Sequence, residues 1–268
     1  MNIGKTCWLL LLGLFALPAL AQDTQTVTVP LSNPGEPLVL DIDLISGEIH
    51  IFGEDREDVV FEVTAGPSGR KIITPSGAKS VPGGGLDIEI EERNNRVEVD
   101  SDWRSKGVVV TARIPRRARV TAETVHDGVI SIRDVEGELE LDNVHGSISA
   151  AGISGSVIAE SVHGDIDVEI VQAASEKPMA FTTMHGDVTI GLPSRHGAEL
   201  RIMSAGDEVY TDFEVEILPN EPKVDRRSDS GRFVVELDRE IVAAINGGGP
   251  QIKIETRYGD VRITKSDQ

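Results

Sequence analysis

Glycine recurs at a fixed interval of nine residues through the middle of the chain. Apolar residues follow each of these glycines at the second and fourth positions, with mostly polar residues between them. Apolar side chains at every second position predict a short β-strand with one buried face. A run of equal units predicts a regular stack of strands and turns. The glycines that open these units are Gly128, Gly137, Gly146, Gly155 and Gly164.

The same signature recurs at Gly47, Gly186 and Gly259. We therefore expect all eight glycines to be structural turn residues, since glycine adopts positive φ and admits close backbone approach. By contrast, Arg239 to Ile245 has a spacing that hints at a helical turn.

Units that carry histidine before the glycine alternate with units that do not, because His145 and His163 lie two units apart. This alternation predicts rungs of two strands with about 18 residues per rung. The expected fold class is all-β, a single-stranded, flattened β-solenoid of about nine-residue strands, similar to a β-helix. A β-sandwich or meander with a hairpin in each unit is the alternative.

Charge and composition exclude several classes of function. The chain has 45 acidic and 26 basic residues, a net charge of -19, and only 4% aromatic residues. Nucleic-acid binding requires a basic face, so no nucleic-acid partner is expected. The low aromatic content argues against an aromatic-lined sugar groove, and it fits a thin interior between two close sheets.

The N-terminus has the features of a secretory signal peptide over residues 1–21. Lys5 precedes an apolar run, and Ala19 and Ala21 occupy the small-residue positions of a cleavage site. The single cysteine, Cys7, lies within this segment, so the mature chain would have neither a disulfide nor a cysteine-ligated metal. No later apolar run is long enough to span a bilayer. We expect an exported protein, periplasmic or extracellular and soluble after cleavage, with an N-terminal segment at 22–37 and a β-strand-repeat domain at 38–265.

Several motifs, taken in order, resemble the bacterial β-strand-repeat family called "putative adhesin", an exported domain of unknown function. The family's repeats have asparagine where this chain has His145, His163 and His185. The resemblance covers roughly residues 38 to 265 and implies a β-solenoid-like domain of the cell envelope, with no catalytic residues to carry over. The motifs are Ile45 to Ile51, Arg119 to Val125, Glu160 to Val168, Tyr210 to Phe213, Asn246 to Gly249 and Thr256 to Val261.

Histidine supplies the sharpest candidate site. If the rungs are in register, His145, His163 and His185 stack along one edge at roughly 4.8 Å per rung. Such a column could bind a ligand or respond to pH. The alternative is that they are solvated turn residues. Parallel side chains rarely converge on one ion, so neither a metal site nor a cofactor is expected.

Charged clusters supply the remaining candidates. Asp87, Glu89 and Glu91 lie on one face of a strand, and further carboxylates follow the turn glycines at Asp165, Asp187 and Asp260. A polysaccharide-cleaving enzyme would use two such acids with a basic partner, whereas a solvated acidic face would only discourage aggregation. The basic cluster Arg113, Arg116, Arg117 and Arg119 would meet an anionic polymer or pair with local acids.

These observations predict a non-catalytic, exported cell-envelope protein that presents a β surface to another protein or a glycan, with a role in adhesion or envelope stress. The alternative is an enzyme that acts on a polysaccharide through carboxylates on the solenoid face. We predict no catalytic residue.

Overall fold

The computed structural model describes residues 24–65, 88–101, 107–126, 128–174, 177–204, 208–219, 223–229, 232–238 and 240–266. The predicted signal peptide lies outside these residues. Within them the regular structure is all β-strand, as the period-two pattern predicts. No helix in the described part of the chain is long and apolar enough to cross a membrane.

The strands follow one another with short connections. The first eleven are β1 (Thr24–Pro30), β2 (Leu38–Glu54), β3 (Asp58–Ala65), β4 (Ile88–Arg93), β5 (Arg96–Ser101), β6 (Val108–Pro115), β7 (Ala118–His126), β8 (Ile130–Arg133), β9 (Glu136–His145), β10 (Ile148–His163) and β11 (Ile166–Ala173). The others are β12 (Met179–His185), β13 (Val188–Leu192), β14 (Ala198–Ser204), β15 (Val209–Thr211), β16 (Val215–Ile217), β17 (Lys223–Asp229), β18 (Arg232–Asp238), β19 (Glu240–Ile245), β20 (Gln251–Tyr258) and β21 (Val261–Lys265). The helical turn expected near Ile245 is wrong, since this segment is β19.

Five parallel strands close into a ring in the order β2–β7–β9–β10–β8. The ring closes because β2 and β10 are long and change partner along their length. β2 pairs with β7 through its first half and with β8 from Ile49 to Phe52. β10 pairs with β8 from Ile148 to Ala151 and with β9 from Ser154 onward.

This closed parallel barrel, with further strands bonded outside it, overturns the prediction of a single-stranded solenoid of nine-residue strands. β2 has 17 residues and β10 has 16, so these strands do not end where the repeat predicts. The meander of hairpins is also wrong for the repeat region, because its neighbouring strands are parallel.

The strands outside the ring extend its two walls. We call the first wall the strands β4–β5–β2–β7–β9–β10–β12–β20–β14–β19–β16, with β2 and β10 contributing residues 38–46 and 154–163. The second wall is β1–β3–β6–β2–β8–β10–β11–β13–β21–β15, where β2 and β10 contribute residues 47–54 and 148–153. Antiparallel strands flank the parallel ones at both ends of the first wall, where β4 pairs with β5 and β19 with β14.

The interior is filled by the apolar residues that alternate along each strand. The pairing places Leu139 beside Val157, and Ile148 beside Ile166, so equivalent residues of successive repeats stack in the core. All four are buried. Phe61 and Phe181 are among the largest fully buried side chains, and valine, isoleucine, leucine and alanine supply most of the others. A core of this composition accounts for the small number of aromatic residues.

Candidate binding surface

Six of the predicted turn glycines stack along one corner between the two walls. An added Cβ at Gly146 would lie 1.8 Å from the carbonyl oxygen of Gly128, and one at Gly164 would lie 2.0 Å from that of Gly146. Every member therefore sits where the chain of the neighbouring strand leaves no room for a side chain. The six are Gly47, Gly128, Gly146, Gly164, Gly186 and Gly259.

The other two predicted glycines stack at a second corner, where a Cβ at Gly155 would lie 1.7 Å from the carbonyl oxygen of Gly137. Positive φ accompanies close approach at some of these positions, as at Gly146 with φ of 129°. Gly128 and Gly164 do not have φ in the left-handed region. Close backbone approach is therefore what all eight positions share.

A ladder of buried polar side chains donates hydrogen bonds to four carbonyl groups of the first glycine corner, those of Gly47, Gly128, Gly164 and Gly186. Ser161 is buried at the equivalent position beside Gly146, but its Oγ has no hydrogen-bond partner among the described residues. Thr183 Oγ1 donates to the carbonyl oxygen of Gly164 at 3.0 Å, and Asn143 Nδ2 donates to that of Gly128 at 2.9 Å. Thr124 and Thr256 donate in the same way, to Gly47 and Gly186. Buried carbonyl groups need such donors, because an unsatisfied one costs about 1–3 kcal/mol.

Sequence reasoning missed this ladder. Extending the period of two backward from Gly146 and Gly164 places Val144 and Val162 inside. In the structure both are only half-buried, and Asn143 and Ser161 are buried instead. The signal is present in the sequence, because a threonine, asparagine or serine stands two positions before each ring residue of the corner.

The three predicted histidines stack ring over ring. The ring centroids of His145 and His163 are 5.2 Å apart, and those of His163 and His185 are 4.8 Å apart with the planes only 3° from parallel. His126 extends the stack at one end at 6.0 Å, and Tyr258 extends it at the other at 4.9 Å. All five side chains are exposed. The sequence repeat finds the central three, but it does not include His126 and Tyr258 in the column.

Two of these rings are oriented by the backbone of the neighbouring strand. His126 Nδ1 lies 3.3 Å from the carbonyl oxygen of Ile45, and His145 Nδ1 lies 3.2 Å from that of Val125. A carbonyl group only accepts, so Nδ1 donates in both contacts. The neutral ring then keeps a hydrogen-bond acceptor at Nε2.

The stacked geometry does not suit a metal ion. Ligand lone pairs lie in the plane of each imidazole, and in parallel stacked rings they point in the same direction rather than toward one point. Within the described residues, no group of three or more histidine, cysteine, aspartate or glutamate side chains is placed to hold a metal.

Two further columns lie beside the rings on the outer face of the first wall. The aliphatic column includes Val125 and Met184, which are 38% and 45% exposed. Next to it lie carboxylates that are in register on β7, β9 and β10. We call the three columns together the corner strip. Its rings are His126, His145, His163, His185 and Tyr258, its aliphatic residues are Val125, Val144, Val162 and Met184, and its carboxylates are Glu123, Asp142 and Glu160.

The carboxylate column of the strip continues across the first wall as an acidic row. Directly paired positions on successive strands all carry acids, and Glu89, one of the predicted candidates, lies at the end of the row. The row is Glu89, Asp100, Asp43, Glu123, Asp142 and Glu160. Burial, followed by the charges of Asp43 and other nearby carboxylates, raises the pKa of Asp100. Burial and the charges of Glu160, Glu123 and Glu140 raise the pKa of Asp142.

A shallow depression of about 160 Å³ lies in this acidic surface. Asp41, Asp43, Glu98, Asp100 and Glu123 contribute to its lining. Arg96 is ion-paired with Asp41 and Glu98 at 2.8 Å. Of the other two acids predicted to lie on one face with Glu89, Glu91 is exposed and ion-paired with Arg93, and Asp87 lies outside the described residues.

The other candidate acids, Asp165, Asp187 and Asp260, form hydrogen bonds with the backbone next to the glycine corner. Asp165 Oδ1 accepts a hydrogen bond from the backbone nitrogen of Asp187 at 2.9 Å, and Asp187 Oδ1 accepts one from that of Asp260 at 2.8 Å. Asp260 Oδ1 accepts in turn from the backbone nitrogen of Glu208 at 3.2 Å. Each side chain thus ties one strand connection to the next.

The candidate basic cluster is largely engaged by neighbouring groups. Arg113 forms ion pairs with Glu54 and Glu62, and Arg119 forms one with Glu138. Arg116 Nη1 donates to the carbonyl oxygen of Asp134 at 3.3 Å. The arrangement favours the local-pairing interpretation over an anionic polymer site.

This chain is similar to known proteins in its fold but not in its sequence. No family model matches the chain, and no curated protein matches it. The structure is similar to the crystal structure of a "putative cell adhesion protein" from Clostridium sporogenes, with a TM-score of 0.50 and 11% identity over 91% of this chain and 100% of that one. A "putative adhesin" from Bacteroides fragilis aligns with a TM-score of 0.44 and 12% identity, over 91% of this chain and 98% of that one.

At 11% identity the likeness to the Clostridium sporogenes protein concerns the fold. It extends over nearly the whole of both chains. The resemblance that the sequence motifs predict is therefore confirmed at the level of the fold, which this chain shares with a structure named as a "putative cell adhesion protein".

Proposed function

We propose that this chain is a non-catalytic, exported protein of the cell envelope that binds another envelope component through the outer face of its first wall. The observation that carries the proposal is the register of that face. Side chains of one chemical kind repeat on successive strands, with six carboxylates in one row. The structurally similar protein from Clostridium sporogenes is named as a "putative cell adhesion protein", which also supports a binding role.

The size of the depression favours binding over catalysis. Ligand pockets usually enclose about 300–1,000 Å³, whereas this depression has about 160 Å³. A flat charged face suits a large partner, because such a partner can engage many exposed groups at once.

Binding to the envelope is testable with the purified mature chain. Labelled protein would be sedimented with a washed envelope fraction of the source cells, at low and at high salt. We expect it to co-sediment with the envelope and to be released by salt, since exposed charges are screened within about 8–10 Å at 0.1–0.15 M salt.

The matched variants compare the acidic row with acids elsewhere. Asp43→Asn combined with Glu123→Gln and Asp142→Asn removes three charges from the row. A control variant removes three exposed charges away from the row, at Asp212 and Glu214 between β15 and β16 and at Glu216 in β16, which ends the first wall on the side opposite the row. We expect only the first triple variant to lose binding. Equal loss in both would indicate a general charge effect, and binding by neither wild type nor control would refute the proposed function.

Export is a separate part of the proposal and rests on the predicted signal peptide. Cell fractionation followed by N-terminal sequencing tests it. We expect the mature chain outside the cytoplasm, beginning at Gln22. A cytoplasmic chain that retains its first residues would contradict this part.

The properties of Asp100 favour the enzyme alternative. The pKa of Asp100 is raised, and it lies in the depression beside two acids, Asp41 and Glu98, that pair with Arg96. These are features of a general acid. Incubation with envelope polysaccharides and measurement of new reducing ends tests this alternative. Release of reducing ends that is abolished by Asp100→Asn would establish the enzyme and overturn the non-catalytic proposal.

A further inference from the structure

We infer that the corner strip is a docking site for a linear, hydroxyl-rich β-1,4-linked glycan that lies across the strands, about one sugar per strand. This inference rests on the proposed function, since it names the class of partner and the part of the surface that meets it. Three features of the strip carry it: the hydrogen-bonding character of its polar groups, its apolar centre and its repeat distance.

From β7 to β10 the polar groups that flank the strip are acceptors, while at the β20 end the exposed Arg257 adds a donor beside Tyr258. Carboxylates of Glu123, Asp142 and Glu160 form one border and accept hydrogen bonds only. On the other border, His126 and His145 use Nδ1 as the donor to a carbonyl group, so their neutral rings offer Nε2 as an acceptor. The complementary partner must therefore present donors along both of its edges, as the hydroxyl groups of a sugar chain do.

The centre of the strip is apolar. Val125 and Met184 are the most exposed of its four aliphatic side chains, and Val144 and Val162 lie between them. A pyranose ring in an extended glycan has C–H faces between hydroxyl-bearing edges, which matches an apolar column between two polar borders. The aromatic rings do not offer their faces, because they are stacked on one another. The glycan would thus meet aliphatic groups and ring edges.

A basic peptide also carries hydrogen-bond donors, but the repeat distance of the corner strip favours a glycan over a peptide. The central rings repeat every 4.8–5.2 Å. A pyranose unit is about as long as one such step. An extended peptide advances about 3.3–3.4 Å per residue, and its side chains on one face repeat at twice that distance, so it falls out of step with the strip.

The test measures the affinity of the mature chain for cello- and chito-oligosaccharides of two to six units by isothermal titration calorimetry. We expect binding to tighten by about tenfold from the dimer to the pentamer and to change little from the pentamer to the hexamer, because the strip has five rings. A hexalysine peptide is the probe for the competing partner.

Three variants locate the site. His163→Phe keeps a ring in the stack and removes its nitrogens, and it should weaken binding about tenfold. Met184→Ser combined with Val162→Ser removes half of the aliphatic column and should do the same. Val171→Ser is the matched control, since Val171 is 51% exposed on β11 in the second wall. Thermal unfolding of each variant verifies that the fold is kept.

The outcomes separate this inference from the proposed function. No binding of either hexasaccharide by a chain that still co-sediments with envelopes overturns the glycan site and leaves the proposed function standing. Tighter binding of hexalysine than of both hexasaccharides assigns the strip to a basic peptide and overturns the inference. Hexasaccharide binding that both strip variants retain while folded also overturns it, because the site would then lie elsewhere.

Discussion

Three single glycine-to-alanine substitutions separate the two reasons for which a corner of this fold requires glycine. Gly247 has φ of 86° and nothing within 4 Å of an added Cβ. Gly164 has no left-handed φ, but its Cβ would lie 2.0 Å from the carbonyl oxygen of Gly146. Gly146 combines both conditions, with φ of 129° and a Cβ 1.8 Å from the carbonyl oxygen of Gly128. The three variants therefore isolate backbone strain, close approach and their sum.

The expected costs follow from the geometry. Gly247→Ala adds only the strain of an alanine at positive φ, about 1–2 kcal/mol. In Gly164→Ala the added Cβ must move from 2.0 Å to about 3.4 Å from the carbonyl oxygen of Gly146, so the two strands must separate by roughly 1.4 Å. This separation adds an overpacking cost of about 1–3 kcal/mol. The separation also weakens the hydrogen bond from Gly146 N to the carbonyl oxygen of His163, 2.9 Å in the wild type. We expect about 3 kcal/mol for Gly164→Ala and about 4–5 kcal/mol for Gly146→Ala.

Equilibrium unfolding in urea measures these differences as changes in the free energy of unfolding. Hydrogen exchange of the backbone amide of Ile148 should report the separation of the strands in Gly164→Ala, and that of Ile130 should report it in Gly146→Ala, because these amides donate across the separated pairs. If Gly164→Ala costs no more than Gly247→Ala, close approach is not what excludes a side chain from the corner. The explanation of the glycine repeat given above would then be refuted.

Three further substitutions test the polar ladder, the acidic row and the core. Thr183→Val removes the donor to the carbonyl group of Gly164 and should cost about 1–3 kcal/mol in urea unfolding, while Thr182→Val on the outer face should change little. Equal effects would contradict the ladder. Asp142 has a raised pKa, so its ionised form destabilises the folded chain above that pKa. Asp142→Asn should therefore add about 0.5 kcal/mol at pH 7, and the gain should vanish near pH 3, where Asp142 is neutral in both states. A gain that persists at acid pH would contradict the charge explanation. Phe181→Ala should cost about 3–5 kcal/mol by the same assay, and a loss under 1 kcal/mol would show that Phe181 is not packed as described.

Periodicity identified the buried apolar columns because the pattern that it detects is local. Residues two and four positions after a glycine lie on the same face of a strand wherever that strand pairs. The buried side chains of Ile130, Leu139 and Ile148 are therefore found from spacing alone. The histidine stack follows as well, since an 18-residue alternation fixes which residues become neighbours once the strands are parallel.

Closure of the ring could not be predicted in the same way, because it depends on partners far apart in sequence. A glycine in a period-two pattern reads as the end of a strand. In the structure β2 continues through Gly47 to Glu54, since its neighbour changes from β7 to β8 at that point. β10 likewise continues through Gly155. Each of these strands continues through its glycine because it pairs with neighbours on both sides. The neighbouring strands are distant in sequence, so the residues around the glycine do not predict this continuation.

Asn143 and Ser161 show that the period of two predicts the wrong inward side chain when it is extended backward from the glycine at the end of the strand. Counting back from the glycine favours Val144 inside, because valine is apolar. Counting forward from Leu139 and Leu141 places Asn143 inside, and the structure agrees. Burial of Asn143 is stabilised because its Nδ2 satisfies the carbonyl group of Gly128, which a valine could not do. The same alternation turns Val144 outward. The exposed aliphatic column of the corner strip is thus a consequence of the donors that the glycine corner requires inside.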